Sequence, residues 1–119
     1  MIELSSDGGE TWVDVGESLG YGGTLFSEGG SPLGGRAAFV AESPGYPEFA
    51  SATLQLGRRY GGQTVLLRFR IASDAGTAST GWDLDDIRVS GVSEPPFDAV
   101  VPQAQSCSAP VAPAPVSLE

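Results

Sequence analysis

Apolar residues recur with a period of two along the chain as far as about Ser93, and no window sustains the period of an α-helix. The alternation is clear in residues 2–5 and again in residues 11–15. Between these stretches, residues 7–9 (Asp-Gly-Gly) are of the types that favour tight turns. The pattern therefore predicts an all-β protein that begins with a β-hairpin.

The clearest predicted strand is residues 64–71. Its alternation places Val65, Leu67, Phe69 and Ile71 on one face, and Thr64, Leu66, Arg68 and Arg70 on the other. A shift of the pairing by one residue would bury both guanidinium groups, so the register of this strand is strongly specified. Further strands are predicted at residues 36–40, 51–56 and 81–89.

The last of these strands is irregular, because its apolar residues change phase between Leu84 and Ile87. Two adjacent carboxylates in an unbroken strand would force one of them inward. A β-bulge at Asp85 and Asp86 would avoid this and would turn both carboxylates to new directions. The alternative is a strand that is buried on both faces.

Two segments interrupt the strand pattern. Residues 16–50 contain nine glycines and three prolines, and loops of this length in a compact domain often carry binding surfaces. Six of the nine prolines fall in the last 25 residues, a composition typical of a solvated, disordered linker. The chain is therefore expected to divide into a β domain, residues 1–93, and a Pro/Ala-rich linker or tail, residues 94–119.

Charge and length exclude several functions. The chain has 119 residues, 15 of them acidic and six of them arginine, with no lysine or histidine and a formal charge of −9. Such a chain repels phosphate groups, so nucleic acids and anionic membrane surfaces are poor partners. Cys107 has no second cysteine to pair with, and no apolar run is long enough to insert into a membrane. If the protein is exported, we expect its signal peptide upstream of Met1.

The octapeptide SSDGGETW, residues 5–12, resembles the Asp-box of sialidase-type β-propellers. A chain of this length cannot form a propeller of several blades, which excludes a complete sialidase. Asp can accept backbone N–H groups across a turn, glycine permits positive φ, and Trp anchors a hairpin to a core. We therefore interpret the motif as a structural turn. Its residues are Ser5, Asp7, Gly9, Thr11 and Trp12.

Four aspartates form the candidate metal site: Asp74, Asp83, Asp85 and Asp86. Calcium prefers carboxylate and carbonyl oxygens of this kind, although the spacing is not that of an EF-hand loop. A glycosidase acid and base pair is a second functional interpretation. The structural interpretation, which we favour, is a bulged strand whose carboxylates accept N–H groups or pair with nearby arginines.

Tyrosines in the predicted loops are the candidate ligand-binding residues: Tyr21, Tyr46 and Tyr60. Exposed tyrosine rings can stack on sugar rings, although loop tyrosines more often pack over a core. We expect no catalytic residue in this chain. Without histidine a His-Glu-x-x-His zinc helix is excluded, and no Gly-x-Ser-x-Gly elbow occurs.

Four segments resemble, in the same order, the jelly-roll domain attached to secreted bacterial metallopeptidases of the immune inhibitor A and fungalysin types. They are residues 5–12, 31–36, 62–74 and 81–87. The resemblance implies an antiparallel β-sandwich of jelly-roll type, related in shape to MAM and galactose-binding modules. Family members usually carry another strand before the position of Ile2, so the resemblance also implies a sheet that lacks its N-terminal strand.

The expected function is that of a non-catalytic accessory domain of a larger secreted or cell-surface bacterial protein. The resemblance implies a metallopeptidase as the parent, with the domain binding a substrate, a glycan or protein surface, or the catalytic domain of the same chain. Two alternatives stay open: a carbohydrate-binding module, and a structural spacer stabilised by calcium. No other cofactor is expected.

Overall fold

The computed structural model describes residues 1–28, 30–73, 76 and 81–94, and the backbone of Val116–Ser117. Its strands are β1 (Ile2–Ser5), β2 (Val13–Asp14), β3 (Gly23–Thr24), β4 (Ala37–Ala38), β5 (Thr64–Phe69) and β6 (Val116–Ser117). A short 3-10 helix spans Gly16–Leu19. Within the described part of the chain, no helix is long and apolar enough to cross a membrane. The protein is all-β, as the period-two pattern predicts.

The main sheet has four strands in the order β2-β1-β5-β6, and all its pairs are antiparallel. The predicted hairpin is confirmed, because Glu3 pairs with Asp14 and Leu4 with Val13. On its other side β1 pairs with β5, with Glu3 opposite Arg68 and Leu4 opposite Leu67. β1 is therefore a central strand, and β2 forms an edge of the sheet within the described residues.

Both faces of this sheet are covered. On the Leu4 face, Leu4, Tyr60 and Val65 form a buried cluster, which we call the first core. On the Glu3 face, Met1 packs with Leu33 and Ala38 of the segment that carries the separate β3–β4 pair. The strand pattern placed Arg68 and Arg70 on the face away from the apolar residues of β5, but that face is also partly buried.

Two predicted strands are wrong. The structure has no β-strand at residues 51–56 or at residues 81–89. Of the strand predicted at residues 36–40, only Ala37–Ala38, which form β4, are in a strand. Leu56 and Val89 still pack against the first core, which explains their apolar periodicity without backbone pairing. At Asp86, φ is +51°, and its N–H donates to Asp85 Oδ1 at 2.7 Å. With no strand here, the predicted β-bulge at Asp85 and Asp86 is also wrong, and Asp86 is a single left-handed residue in an irregular segment.

One short strand lies inside the segment expected to be a disordered linker. The backbone of β6 pairs with β5, with Val116 opposite Val65 and Ser117 opposite Thr64. Residues 95–115, 118 and 119 lie outside the described part of the chain, and so does Cys107. The division at residue 93 therefore stays a prediction, although two residues beyond it pair with the sheet.

A buried carboxylate lies at the centre of the main sheet. Glu3 is only 2% exposed, and it forms ion pairs with three arginines from two parts of the chain. Arg36 Nη1 lies 2.5 Å from one carboxylate oxygen, and Arg68 Nε lies 2.6 Å from the other. Arg70 Nη1 adds a contact at 3.4 Å. Arg36 also bonds Asp14 at 3.1 Å, so that β1, β2 and β5 share one charge network.

The network sets the ionisation of Glu3. Burial acts to raise the pKa of its carboxyl, but the hydrogen bonds from Arg36 and Arg68 outweigh burial and leave the pKa below its ordinary value. Tyr21 joins from the loop after the 3-10 helix, where its hydroxyl donates to Asp14 at 2.6 Å and accepts from the Ile2 N–H at 3.0 Å. Burial and the bond to Asp14 raise the pKa of Tyr21 to about 12. Tyr21 therefore stays protonated and fixes β2 against β1.

Glu3→Gln is expected to lower the free energy of unfolding at pH 7 by about 2–3 kcal/mol, since it leaves several guanidinium groups without their shared carboxylate. The three arginine side chains are about a third exposed (32–36%), so solvent moderates the loss. The exposed Glu17 is the control, and Glu17→Gln should change stability by under about 0.5 kcal/mol. Urea unfolding measures both, and equal stability of Glu3→Gln and the parent chain would contradict the role of the network.

Candidate functional site

The hairpin loop is held by its own side chains. The hydroxyl of Ser5 donates to Asp7 Oδ1 at 2.7 Å and accepts the Gly9 N–H at 2.9 Å. Asp7 also accepts the backbone N–H and the hydroxyl of Thr11. The indole N–H of Trp12 donates to the Gly9 carbonyl at 2.9 Å. All these bonds lie within the loop itself.

Two glycines and one ionised carboxylate make this loop conformation accessible. Gly8 and Gly9 have φ values of +75° and +99°, a region that side chains with a Cβ rarely adopt. The pKa of Asp7 lies far below its ordinary value, because hydrogen bonds from Ser5 and Thr11 stabilise its charged form. Asp7 is thus an ionised acceptor at neutral pH whose oxygens are already bonded.

The loop is tied to the charge network through Trp12. The guanidinium carbon of Arg68 lies 3.8 Å from the centre of the Trp12 ring, a cation–π contact on the Glu3 face of the sheet. Arg68 therefore contacts Glu3 on one side and the indole on the other. The geometry of residues 5–12 is accounted for by folding contacts.

The structure separates the three candidate tyrosines. Tyr60 is 7% exposed and belongs to the first core, so its ring is not presented to solvent as a platform. Tyr21 is half-buried, with its hydroxyl bonded to Asp14 and its ring edge-on to Phe39 at 4.8 Å. Tyr46 is 55% exposed in the turn at residues 44–48, close in sequence to Phe49, which is 69% exposed.

The candidate calcium residues lie partly outside the described chain. Asp74 is one of the residues that the structure does not describe, whereas Asp83, Asp85 and Asp86 are exposed. Among the described residues, no three acidic or cysteine side chains gather into a group that could hold a metal ion. Asp86 instead lies 3.4 Å from Nη2 of Arg88, at a fully solvated position. The calcium site stays a prediction.

A small pocket opens beside the hairpin loop on the Leu4 face of the sheet. We call it the Arg59 pocket, and its volume is about 150 Å³. Its lining residues are Leu4, Ser6, Thr11, Val13, Arg59, Tyr60 and Gln63. The β1–β2 hairpin supplies one wall, and the turns before β5 supply the other. The pocket therefore combines apolar side chains with one cation, three hydroxyls and one amide.

An open groove lies next to this pocket, between the hairpin loop and the start of β5. Asp7 is the one carboxylate among its lining residues, and its oxygens already accept bonds from Ser5 and Thr11. The Arg59 pocket has no carboxylate in its lining. Neither opening thus brings together the two carboxylates that a glycosidase mechanism uses.

The fold and these openings define a small all-β protein with a self-bonded hairpin loop and an arginine-lined pocket. Compared with known proteins, the chain matches no protein-family model, no curated protein and no solved structure.

Sequence reasoning missed the residues that the structure makes most prominent. Glu3 was a polar position in an alternating strand, although Arg68 and Arg70 in the facing strand were a signal that a counter-charge was needed. For the Arg59 pocket there was no linear signal, because its walls come from segments about fifty positions apart.

Asp7→Asn is expected to lower the melting temperature at pH 7, because Asn cannot offer the same charged oxygens to Ser5 and Thr11. The pKa of Asp7 is lower in the folded state than its ordinary value of 3.8, so its charge stabilises the fold at pH values above 3.8. This stabilisation is lost progressively as the pH falls below that value. The gap between variant and parent should therefore shrink below about pH 4. Thermal unfolding from pH 7 to pH 2 measures it. Glu10→Gln, in the same loop, is the matched control, and a pH-independent gap would contradict the role of the Asp7 charge.

Proposed function

We propose that this chain is a non-catalytic accessory domain of a larger secreted bacterial protein, a metallopeptidase of the types that it resembles. Its role is to pack against the catalytic domain or to hold a substrate surface. The proposal includes a jelly-roll sandwich, for which the support is a sheet covered on both faces and a second strand pair beside it. Its accessory character rests on the resemblance of four segments in order.

Exposed apolar side chains carry the proposal. Phe26 is 64% exposed, Phe49 is 69% exposed and Ile71 is 65% exposed. Burial of such side chains against another molecule would be favourable, which supports a packing role for the domain. The main-sheet core, by contrast, is small and partly ionic.

In the full parent protein, Phe26 and Phe49 are expected to be protected from hydroxyl radicals. Oxidative footprinting followed by mass spectrometry should show their oxidation rates falling several-fold relative to this chain alone. Tyr60 is the internal control, because it is buried in the first core and should be slow in both samples. Unchanged rates at Phe26 and Phe49 would contradict packing against a neighbouring domain.

Carbohydrate binding is the second candidate function, and the turn at residues 44–48 favours it. Two backbone bonds, from the Tyr46 N–H to the Ser43 carbonyl and from the Glu48 N–H to the Gly45 carbonyl, hold this turn. It presents Tyr46 with Phe49 close by, and Glu48 supplies a carboxylate that can accept sugar hydroxyls. With a charge of −9, the ligand would be a neutral glycan.

For this candidate, affinity electrophoresis through gels that contain neutral polysaccharides should retard the chain. Tyr46→Ala or Phe49→Ala should abolish the retardation, because ring stacking supplies most of the contact area. Phe26→Ala removes an equally exposed ring outside this turn and should change nothing. Equal migration of all variants and the parent chain in every gel would exclude the platform.

A further inference from the structure

We propose that the Arg59 pocket binds a carboxylate group, presented by a small organic acid or by the acidic side chain of a peptide. The inference deepens the accessory role proposed above, because it names a chemistry that the domain would recognise. Only the source of the carboxylate depends on the accessory role; the binding of a carboxylate group does not.

The distribution of charge is the first argument. Arg36, Arg68, Arg70 and Arg88 all form ion pairs with described carboxylates. Arg58 and Arg59 form no ion pair with any described residue, although acidic residues outnumber arginines by 15 to six. The chain has many acidic residues that could have paired with Arg59. None of the described carboxylates lies within ion-pair distance of its guanidinium. Its guanidinium is therefore available to an external anion.

Several hydrogen-bond donors also lie around the pocket. The guanidinium of Arg59 has five N–H groups in a planar fork that matches the two oxygens of a carboxylate. Gln63 uses one amide hydrogen in a long bond of 3.4 Å to the Arg59 carbonyl and has a second amide hydrogen to offer. Ser6, whose hydroxyl can also donate, is a further lining residue. Arg59 thus brings only donors to the opening, and the Gln63 amide and the Ser6 hydroxyl can each donate a hydrogen bond as well as accept one.

The apolar side of the pocket makes these donors more effective. Leu4, Val13 and Tyr60 supply its apolar lining, and both Leu4 and Tyr60 are buried in the first core. The guanidinium carbon of Arg59 lies 5.5 Å from the centre of the Tyr60 ring. This cation–π contact restricts the positions that the guanidinium group can adopt. The apolar lining displaces part of the water around a bound carboxylate, which reduces the screening of its contact with Arg59.

The volume of the Arg59 pocket suits a small ligand group. A volume of about 150 Å³ corresponds to roughly five water molecules. A carboxylate with one or two methylene groups is small enough for this space. The methylene groups would lie on the apolar lining, and the carboxylate would meet the guanidinium at the rim. An acidic side chain has this size and this order of groups.

The test is a titration followed by two-dimensional NMR, with two pairs of probes. The peptides are acetyl-Gly-Glu-Gly-amide and the equally large acetyl-Gly-Gln-Gly-amide, and the small acids are acetate and propionate. The Glu peptide should shift amide signals of residues 4–13 and 59–63 in a saturable manner, with an affinity on the order of millimolar for one partly exposed charged contact. The Gln peptide should not.

Variants at two adjacent arginines provide the matched control. Arg59→Ala should weaken binding of the Glu peptide about tenfold, through loss of charged hydrogen bonds. Arg58→Ala makes the same change in net charge beside the pocket, but Arg58 is not part of its lining, and binding should stay within about twofold. Gln63→Glu should abolish binding by placing a negative charge on the rim, while the spectrum elsewhere stays unchanged.

Each outcome decides the proposal. Equal binding of the Glu and Gln peptides, or equal effects of Arg58→Ala and Arg59→Ala, would overturn it. Saturable shifts with the small acids as strong as with the peptide would support the site and assign it to small organic acids. Binding of the peptide alone would support the site and assign it to an acidic segment. Footprinting of the parent protein tests the accessory role separately, so either proposal can fail while the other stands.

Discussion

The Glu3 carboxylate is the contact on which the rest of the sheet depends. It lies on the central strand with almost no exposure to solvent, and an isolated charge at such a position would cost several kcal/mol. Only the simultaneous approach of arginines offsets that cost. Arg68 comes from β5 and Arg36 from the segment before β4, so two distant parts of the chain must assemble around one side chain. The pairing of β1 with β5 is therefore specified by charge as well as by apolar contacts.

This use of arginine has consequences for the remaining surface. A chain with six arginines and 15 acidic residues has few cations, and three of them surround Glu3. The second function of Arg68, its contact with Trp12, extends the network into the hairpin loop. Arg58 and Arg59 are not part of this arrangement, and Arg59 lines the pocket on the opposite face of the sheet from Glu3. Arg59, beside its pocket, is the cation to which we assign the proposed carboxylate binding.

Folding contacts and the proposed recognition surfaces lie in different parts of this molecule. The loop of residues 5–12 has its donors and acceptors bonded among themselves, so its conspicuous sequence belongs to the folding of the hairpin. Surface groups with unused capacity lie elsewhere: the exposed rings of Phe26, Tyr46 and Phe49, and the rim of the Arg59 pocket. These positions are unremarkable in the sequence, because exposure depends on what the chain places beside a residue and not on its type.

The sequence by itself determined the all-β class, the hairpin at residues 2–15 and the strand within residues 64–71, because period-two alternation and turn residues act over a few neighbouring positions. The same alternation wrongly predicted strands at residues 51–56 and 81–89, where apolar side chains contact the core without a strand partner. Only the tertiary structure decided that Glu3 is buried, that Tyr60 belongs to the core and that Arg59 borders a pocket. Each of these depends on residues far apart in the chain, and no local pattern records which distant segments will meet.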